Sequence, residues 1–341
     1  MQNLFIDSLL FACPKLEEGK SSFESYIDNI LGWRDLATSE WSNLFTLRET
    51  IEVLYNVERY PLHPHLRMAI SKYEINYIQP QDIITIVDSL LAKIAKIQDH
   101  LSIEDSLYNL VSLSPEINER EEIFKIKISD LLTYASLKCL IDNENENLQK
   151  ILLAQRHITS IDICSDIQIL EFKNKDLSNN TPITLCNSFS CFPDYTSYCL
   201  QIDCVLIWSR TKDTNIRKEA IKLYAFQRAN NLGIKRNLEE IANYQLKDSF
   251  LSSISALNLE TNAAKLKLLL QTMSDVILNI NLQNTHALRK GPKGNDPQIC
   301  EGQWKAWRMD IDYEYHLHYW KKAETIIFSK MVLHNDFSIE L

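Results

Sequence analysis

Side chains that transfer protons and bind phosphates are concentrated between residue 286 and the end of the chain. Four of the eight histidines and three of the six glycines lie there. Three strand-like runs, residues 306–312, 315–320 and 325–334, predict an antiparallel meander, in which alternate residues share a face. One face of the paired runs would carry Arg308, Asp310, Asp312, His316 and His318. We therefore expect a solvent-exposed charged face suited to acid–base chemistry or anion binding.

Two other interpretations of this face remain open. Cross-strand ion pairs on a solvated sheet would need the same residue types. A metal site would draw on the H-x-H pair His316 and His318, together with His334 and Asp336. Two histidines two residues apart are a weak metal signal. The sequence therefore predicts no bound metal and no cofactor.

A glycine-containing loop precedes the meander and carries cations without any acid. Exposed amides and cations on a loop suit phosphate groups, although G-P-K-G lacks the G-K-[ST] ending of a Walker A loop. A flexible connector of the same composition is an equally good interpretation. The predicted nucleic-acid contacts in this loop are Arg289, Lys290 and Lys293, beside His286, Gly291 and Gly294.

A second basic segment runs from Arg210 to Arg236. It contains eight lysines and arginines against Asp213 and Glu219, with aromatic residues between them. A basic helix with interleaved aromatic residues suits a nucleic-acid backbone, whereas a solvated helix face is the alternative. The predicted contacts here are Arg217, Lys218, Lys222, Arg228, Lys235 and Arg236.

The cysteines favour a reducing compartment. We expect all eight to be thiols, because disulfides are rare in the cytosol. Four of them form C-x4-C-x7-C-x4-C, which is wider than the usual zinc knuckle, and the last two lie in apolar sequence. Buried thiols are therefore favoured, and zinc stays open as the alternative for Cys186, Cys191, Cys199 and Cys204.

Composition limits the classes of protein to consider. The chain has 341 residues, 45% of them hydrophobic, and a net charge of -9, which argues against a general nucleic-acid coat. No apolar run approaches the roughly 20 residues that span a bilayer. The N-terminal stretch lacks a basic n-region and contains Asp7, so a signal peptide is not expected. The predicted compartment is the cytoplasm.

The elements that must hold these residues are predicted mainly from helical periodicity. Amphipathic stripes indicate helices from about Ser39 to Tyr55, after Pro80, from Glu119, from Thr214, and from Leu259 to Ile280. Residues 167–172 alternate like a strand, residues 173–182 are a polar loop, and C-V-L-I-W is either a strand or a helix end. The predicted fold is mainly α, a helical array followed by a small C-terminal α+β module with a three-stranded antiparallel meander. The expected domains are a helical domain (1–158), a mixed middle region with the basic helix (159–258) and the α+β module (259–341).

The C-terminal runs H-A-L-R-K-G-P-K-G-N-D-P-Q and K-A-W-R-M-D-I-D-Y-E-Y-H-L-H-Y-W resemble the tails of uncharacterised bacterial proteins of phage-defence and conflict systems. They are also similar, more loosely, to the RelE/ParE toxin fold, over about 55 of the 341 residues. RelE-like toxins cut ribosome-bound mRNA without a metal, and ParE-like relatives are not nucleases. This resemblance implies that Arg308 binds phosphate and that His316, His318 or His334 transfers protons. His316 stands where the family usually has arginine.

Two functions follow as expectations. The first is an accessory or scaffold subunit of an anti-phage or toxin-type system, binding a protein partner from the same operon and nucleic acid of either kind. The alternative is a metal-independent ribonuclease of RelE-like type that uses the C-terminal His and Arg residues. The sequence leaves open whether the protein is an enzyme, and which partner, trigger and nucleic acid it meets.

Overall fold

The N-terminal part of the chain folds around a parallel sheet, so the prediction of a mainly α protein is wrong. The computed structural model describes residues 2–39, 42–117, 120–142, 150–155, 157–172, 181–241, 243–291 and 296–340. The chain divides into two compact units, Met1–Tyr198 and Cys199–Leu341. Each unit contains a large sheet with helices, which makes the protein α/β.

The sheet of the N-terminal unit has seven strands in the order β3-β2-β1-β5-β7-β6-β4. The first five in this order run parallel, and the other two continue the sheet antiparallel. The strands are β1 (Gln2–Ile6), β2 (Ser42–Thr46), β3 (Ala95–Lys96), β4 (Ile103–Ser114), β5 (Lys150–Leu152), β6 (Ser160–Phe172) and β7 (Ile183–Phe192). The helices are α1 (Lys20–Ala37), α2 (Thr50–Asn56), α3 (His63–Tyr73), α4 (Pro80–Lys93), α5 (Ile97–His100), α6 (Glu122–Asp142) and α7 (Tyr195–Cys199).

Burial explains which of the predicted helices are real. Pro80 begins α4, where its missing N–H costs nothing, and Ile83, Val87 and Leu90 form the buried stripe. The helix expected from Ser39 is instead strand β2 followed by helix α2. All but one of the β2 residues are buried, because the strand lies inside the sheet. A short apolar run buried on both faces carries no period that separates strand from helix.

The C-terminal unit is built on a six-stranded sheet with helices packed against it. Its helices are α8 (Cys204–Arg210), α9 (Thr214–Asn231), α10 (Asp248–Ala256) and α11 (Ala263–Leu278). Its strands are β8 (Tyr244–Leu246), β9 (Thr285–Ala287), β10 (Cys300–Glu301), β11 (Trp304–Asp310), β12 (Tyr315–Lys322) and β13 (Thr325–Leu333). C-V-L-I-W is therefore helical, whereas the alternating run at residues 167–172 belongs to strand β6, as predicted.

The antiparallel meander of β11, β12 and β13 exists as expected, but it is the centre of a larger sheet. Strand β8 adds to β13 in parallel, and both β9 and β10 pair with the outer edge of β11. Strand β12 turns into β13 through Ala323, whose φ of 48° is left-handed, as a tight hairpin turn demands. This sheet fixes the register of the residues that could do chemistry.

Candidate functional site

The register of three neighbouring strands brings together the histidines and acids predicted from the sequence. Asp310 of β11 lies opposite His316 of β12, and Arg308 lies opposite His318. On the other edge of β11, Arg308 faces His286 of β9. The structure thus confirms that these groups share one sheet face, and it adds His286, which the sequence had placed only in a basic loop.

Four of these side chains form a continuous polar chain, which we call the histidine cluster: His286, Asp310, His316 and His334. His316 Nε2 lies 3.1 Å from His334 Nδ1 and 3.3 Å from Asp310 Oδ1. The other carboxylate oxygen of Asp310 lies 3.9 Å from His286 Nε2. The contact between the two imidazoles is a hydrogen bond that can carry a proton, whereas Asp310 lies at ion-pair distance from His316 and His286.

The members of the histidine cluster differ in their access to solvent. The side chain of His316 is 2% exposed, whereas His286 and His334 lie at the surface and Asp310 is partly exposed. Burial lowers the pKa of His316 below its ordinary value, and the attraction of Asp310 opposes that shift only in part. His316 is therefore mainly neutral at pH 7, and its burial keeps it from bulk solvent.

Arg308 supplies a positive charge next to the histidine cluster. It lies close enough to lower the pKa values of both His316 and His318. No ion pair of Arg308 occurs among the residues that the structure describes. A half-buried guanidinium without a carboxylate partner is suited to an anion such as a phosphate group.

His318 is not part of a wet face, so the prediction that this face is exposed around both histidines is wrong. Its side chain is fully buried, and its Nδ1 lies 2.9 Å from the carbonyl oxygen of Ser338. The chain end, residues 336–340, crosses the strands here, which no periodicity in the sequence indicated. Burial lowers the pKa of His318 to about 4, against the smaller opposing effect of the Ser338 carbonyl. His318 is a packing residue.

Asp312 is also outside the histidine cluster. Its carboxylate is 2.6 Å from Lys265 Nζ, at the beginning of α11, and it accepts hydrogen bonds from the amides of Glu314 and Tyr315. It therefore closes the turn between β11 and β12.

Two arginines of the predicted basic segment, residues 210–236, form ion pairs inside the C-terminal unit. Arg217 is buried against Glu260, 2.5 Å away, and its guanidinium stacks over Trp208. Arg228 forks onto both oxygens of Asp275 in α11. These two arginines hold helices together and are not available to nucleic acid. Four of the predicted contacts stay on the surface or partly exposed: Lys218, Lys222, Lys235 and Arg236.

The basic loop is only partly described. Arg289 donates to the carbonyl oxygen of Asp296 at 2.5 Å, so its side chain closes the loop on itself. Lys290 is exposed. Lys293 and Gly294, which completed the predicted phosphate clamp, lie outside the described residues.

The cysteines do not gather into a zinc site. Cys186 is joined by a disulfide to Cys164 on the neighbouring strand, so the expectation of reduced thiols is wrong for this pair. Cys191, Cys199 and Cys204 are buried thiols, as the apolar sequence around the last two indicated. Among the described residues, no group of three or more His, Cys, Asp or Glu side chains is arranged to hold a metal ion.

The N-terminal unit holds a polar site that the sequence reasoning missed. Strand β1 lies between β2 and β5, so the chain continues to β2 and β3 on one side of it and places β5 on the other; this is the switch point of the sheet. Ligands of open α/β sheets bind at such points. Asp7 follows β1 directly and Gln155 follows β5. The run L-F-I-D, an acid straight after a buried strand, was the available signal.

Asp7 is buried and ion-paired at this point. Its carboxylate lies 2.7 Å from Arg120 Nη1, and both side chains are 1% exposed. Asp7 also accepts from the amides of Leu9 and Ala154. The Arg120 nitrogens and Gln155 Oε1 make no well-aligned hydrogen bond in the described part of the chain. Because both Asp7 and Arg120 are buried, we interpret this ion pair as a structural contact and not as an open ligand site.

Comparisons with known proteins do not assign a function, so the assignment depends on the geometry of the candidate site. No protein-family model, curated protein or solved structure matches this chain. Among the described helices, none is both long and apolar enough to cross a bilayer. The chemistry available is therefore that of the histidine cluster with Arg308 in one unit and the buried Asp7–Arg120 pair in the other.

Proposed function

We propose that the C-terminal unit cleaves RNA by imidazole acid–base catalysis at the histidine cluster. One observation supports this above all others. His316 Nε2 lies 3.1 Å from His334 Nδ1 beside Asp310, and the guanidinium of Arg308 lies close to them with no carboxylate partner in the part of the chain that the structure describes. Two imidazoles and a cation are the groups that phosphodiester cleavage through the 2′-hydroxyl requires.

The exposed histidines are assigned to the substrate. His286 and His334 are the two cluster imidazoles at the surface. One of them takes the proton of the RNA 2′-hydroxyl, and the other gives a proton to the departing 5′-oxygen. The 2′-oxygen forms a bond to phosphorus as the bond from phosphorus to the 5′-oxygen breaks, which leaves a 2′,3′-cyclic phosphate. Arg308 pairs with the phosphate oxygens.

Asp310 and His316 are assigned as positioning residues. A buried neutral imidazole in contact with His334 selects which ring nitrogen of His334 carries its proton. Asp310 fixes His316 in turn and reaches His286 on its other side. The RelE/ParE resemblance implied that His316, His318 or His334 transfers protons. Of these three, the present assignment keeps only His334 in that role and adds His286.

The biological setting is proposed from the resemblance of the C-terminal segment. We propose that the chain acts in the cytoplasm as a component of an anti-phage or toxin-type system. Its partners would be a protein encoded nearby and RNA, with Lys218, Lys222, Lys235 and Arg236 as the cations left to contact a phosphate backbone.

A second function, that of a non-catalytic scaffold, is favoured by a different observation. The edge strand β4 of the N-terminal unit exposes Leu107 and Val111 to solvent. Exposed apolar side chains on a long edge strand are typical of an interaction surface. The two functions are compatible within one chain, and separate experiments test them.

The ribonuclease proposal is tested with the full-length protein, EDTA and a labelled single-stranded RNA, with DNA of the same sequence alongside. His334→Asn and His286→Asn should each lower the cleavage rate by about 10²–10⁴-fold, the usual contribution of an acid or base. His63→Asn changes an exposed histidine of the other unit and serves as the matched control. Cleavage products should end in a 2′,3′-cyclic phosphate.

The competing outcomes are distinct. RNA that stays intact with the wild-type protein excludes the ribonuclease. Cleavage that survives both substitutions, or that acts equally on DNA, excludes these histidines or the 2′-hydroxyl mechanism. RNA that survives while the same substitutions weaken a co-purifying complex supports the scaffold.

A further inference from the structure

Strand β4 has a free edge that natural proteins normally protect. It is 12 residues long and pairs with β6 along one side. No strand pairs with its other side in the described part of the chain. The side chains of Leu107 and Val111 are 60% and 57% exposed. The strand contains no Lys, Arg or Pro, which often prevent a second chain from adding to an edge; it does carry Glu104 and Asp105, and its register with β6 shifts at three points.

A groove continues this edge toward the beginning of α6. Its volume is about 640 Å³. Tyr108, Leu110 and Leu113 of β4 line one wall, and Ile126 of α6, itself exposed, lines the other. The groove is thus a depression lined by both apolar and polar side chains beside unpaired strand backbone, the arrangement in which an extended peptide gains both main-chain hydrogen bonds and side-chain pockets.

Tyr108, which lines the groove, is held in place by a polar network. The hydroxyl of Tyr108 donates to Asp130, whose other carboxylate oxygen lies 2.8 Å from Lys127 Nζ. Tyr134 and Ser106 are joined by a 2.8 Å hydrogen bond next to them. Burial and the Asp130 carboxylate raise the pKa of Tyr108. Because this side chain is already fixed, binding of a ligand in the groove costs little free energy for ordering it.

The charges around this surface favour a basic partner. Glu104, Asp105, Glu116 and Glu122 lie along β4 and the groove. Among the described residues of β4 and of the groove lining, these four acids outnumber the one cation, Lys125, which lies 3.3 Å from Glu122; Arg48, which belongs to neither set, reaches Glu104 at 3.8 Å. The surface therefore keeps an excess of negative charge.

A second copy of this chain fits the surface poorly. An antiparallel pairing of two β4 strands would bring Glu104 and Asp105 of one copy toward Glu116 of the other. Like charges placed opposite each other oppose such a pairing.

We propose that the free edge of β4 and its groove bind an extended segment of a partner protein that alternates apolar and basic residues. The segment adds to β4 as an eighth strand, its apolar side chains enter the groove and its cations meet the acidic rim. This inference gives a chemistry to the partner of the scaffold function and does not depend on the ribonuclease.

The probe is a display library of random twelve-residue peptides selected on the full-length protein. We expect enrichment of sequences that alternate apolar residues with Lys or Arg. Selected peptides, synthesised with a fluorophore, should bind the double variant Leu107→Glu/Val111→Glu at least tenfold more weakly than the wild type. The matched control, Leu62→Glu/Met68→Glu, changes two exposed apolar residues elsewhere in the same unit and should bind as the wild type does.

Several results would overturn the proposal. These are enrichment of acidic peptides or of peptides with helical spacing, equal binding to the Leu107/Val111 variant, and no enrichment at all. Sedimentation showing that the wild type is a dimer and the Leu107/Val111 variant a monomer would assign the edge to a second copy instead. A partner that co-purifies equally with that variant would leave the scaffold function standing while removing this surface from it.

Discussion

At the residue scale, the two histidines of the H-x-H pair have different tasks although they are chemically identical. Both point to the same face of β12. His316 contacts Asp310 and His334, whereas the hydrogen bond of His318 within the described residues is to the backbone of the chain end. The sequence predicts the shared face, since a strand period of two requires it. It does not predict which imidazole a distant segment covers.

His318 makes the stability of the C-terminal unit depend on pH. Its pKa is about 4 in the folded protein and about 6.5 in an unfolded chain, so the unfolded state binds the proton more tightly. Stability must therefore fall as pH drops from 6.5 toward 4. Between pH 7 and pH 5 this residue alone should cost about 2 kcal/mol of unfolding free energy.

The measurement compares urea unfolding of the wild type and of His318→Leu at both pH values. The variant should lose about 2 kcal/mol less on acidification than the wild type, although the lowered pKa of His316 leaves part of the pH dependence in place. Equal losses would mean that His318 is protonated in the folded protein.

At the element scale, strong helical periodicity was a reliable guide and short buried runs were not. The stripes after Pro80 and through residues 263–278 correspond to α4 and α11, whose apolar faces have a period of 3.6. Strand β1 is a run of five residues, too short for a period to be read. The parallel sheet was missed because its central strands are short and buried, and buried strands do not alternate.

Part of the histidine cluster could be predicted from the sequence. Adjacent strands joined by short turns have a register that the sequence constrains, and this places Asp310 beside His316. His286 reaches the cluster through β9, which residues 288–303 separate from β11 in the sequence. No local pattern predicts a pairing across a segment of that length.

The chain end acts as an element without regular structure, and its removal is testable. The Glu340 carbonyl accepts from Trp320 Nε1 at 2.8 Å, and Phe337 and Ile339 pack on the apolar cluster around Trp320. Deleting residues 336–341 should destabilise the unit by about 2–4 kcal/mol, as expected for two lost apolar side chains. Tryptophan emission should move to longer wavelength, and the pKa of His318 should rise toward its ordinary value.

A conservative variant controls for this deletion. Ser338→Ala removes the hydroxyl that Lys330 contacts and keeps the carbonyl that His318 contacts. It should leave both the emission and the pKa of His318 unchanged. A deletion that also leaves them unchanged would show that the chain end does not cover these strands in solution.

At the scale of the whole molecule, the two units differ in whether their main charged groups are ion-paired. The N-terminal unit buries a full ion pair, Asp7 with Arg120, at the switch point of its sheet. The C-terminal unit keeps Arg308 without an ion pair among the described residues and places it beside titratable side chains. A buried pair suits a fixed framework, and an unpaired cation near the surface suits an anionic ligand. This contrast is why we assign chemistry to one unit and partner binding to the other.

The division into units also predicts how substitutions combine. Asp7→Asn leaves the Arg120 guanidinium buried without a counter-charge, which should cost about 3–5 kcal/mol of unfolding free energy. Asp7→Asn/Arg120→Met removes both charges and should recover most of that loss. His318→Leu acts in the other unit, so its effect should add to that of Asp7→Asn within about 0.5 kcal/mol. Urea unfolding at pH 7 of the single and double variants measures this, and a coupling energy well above that value would show that the two sites are not energetically independent.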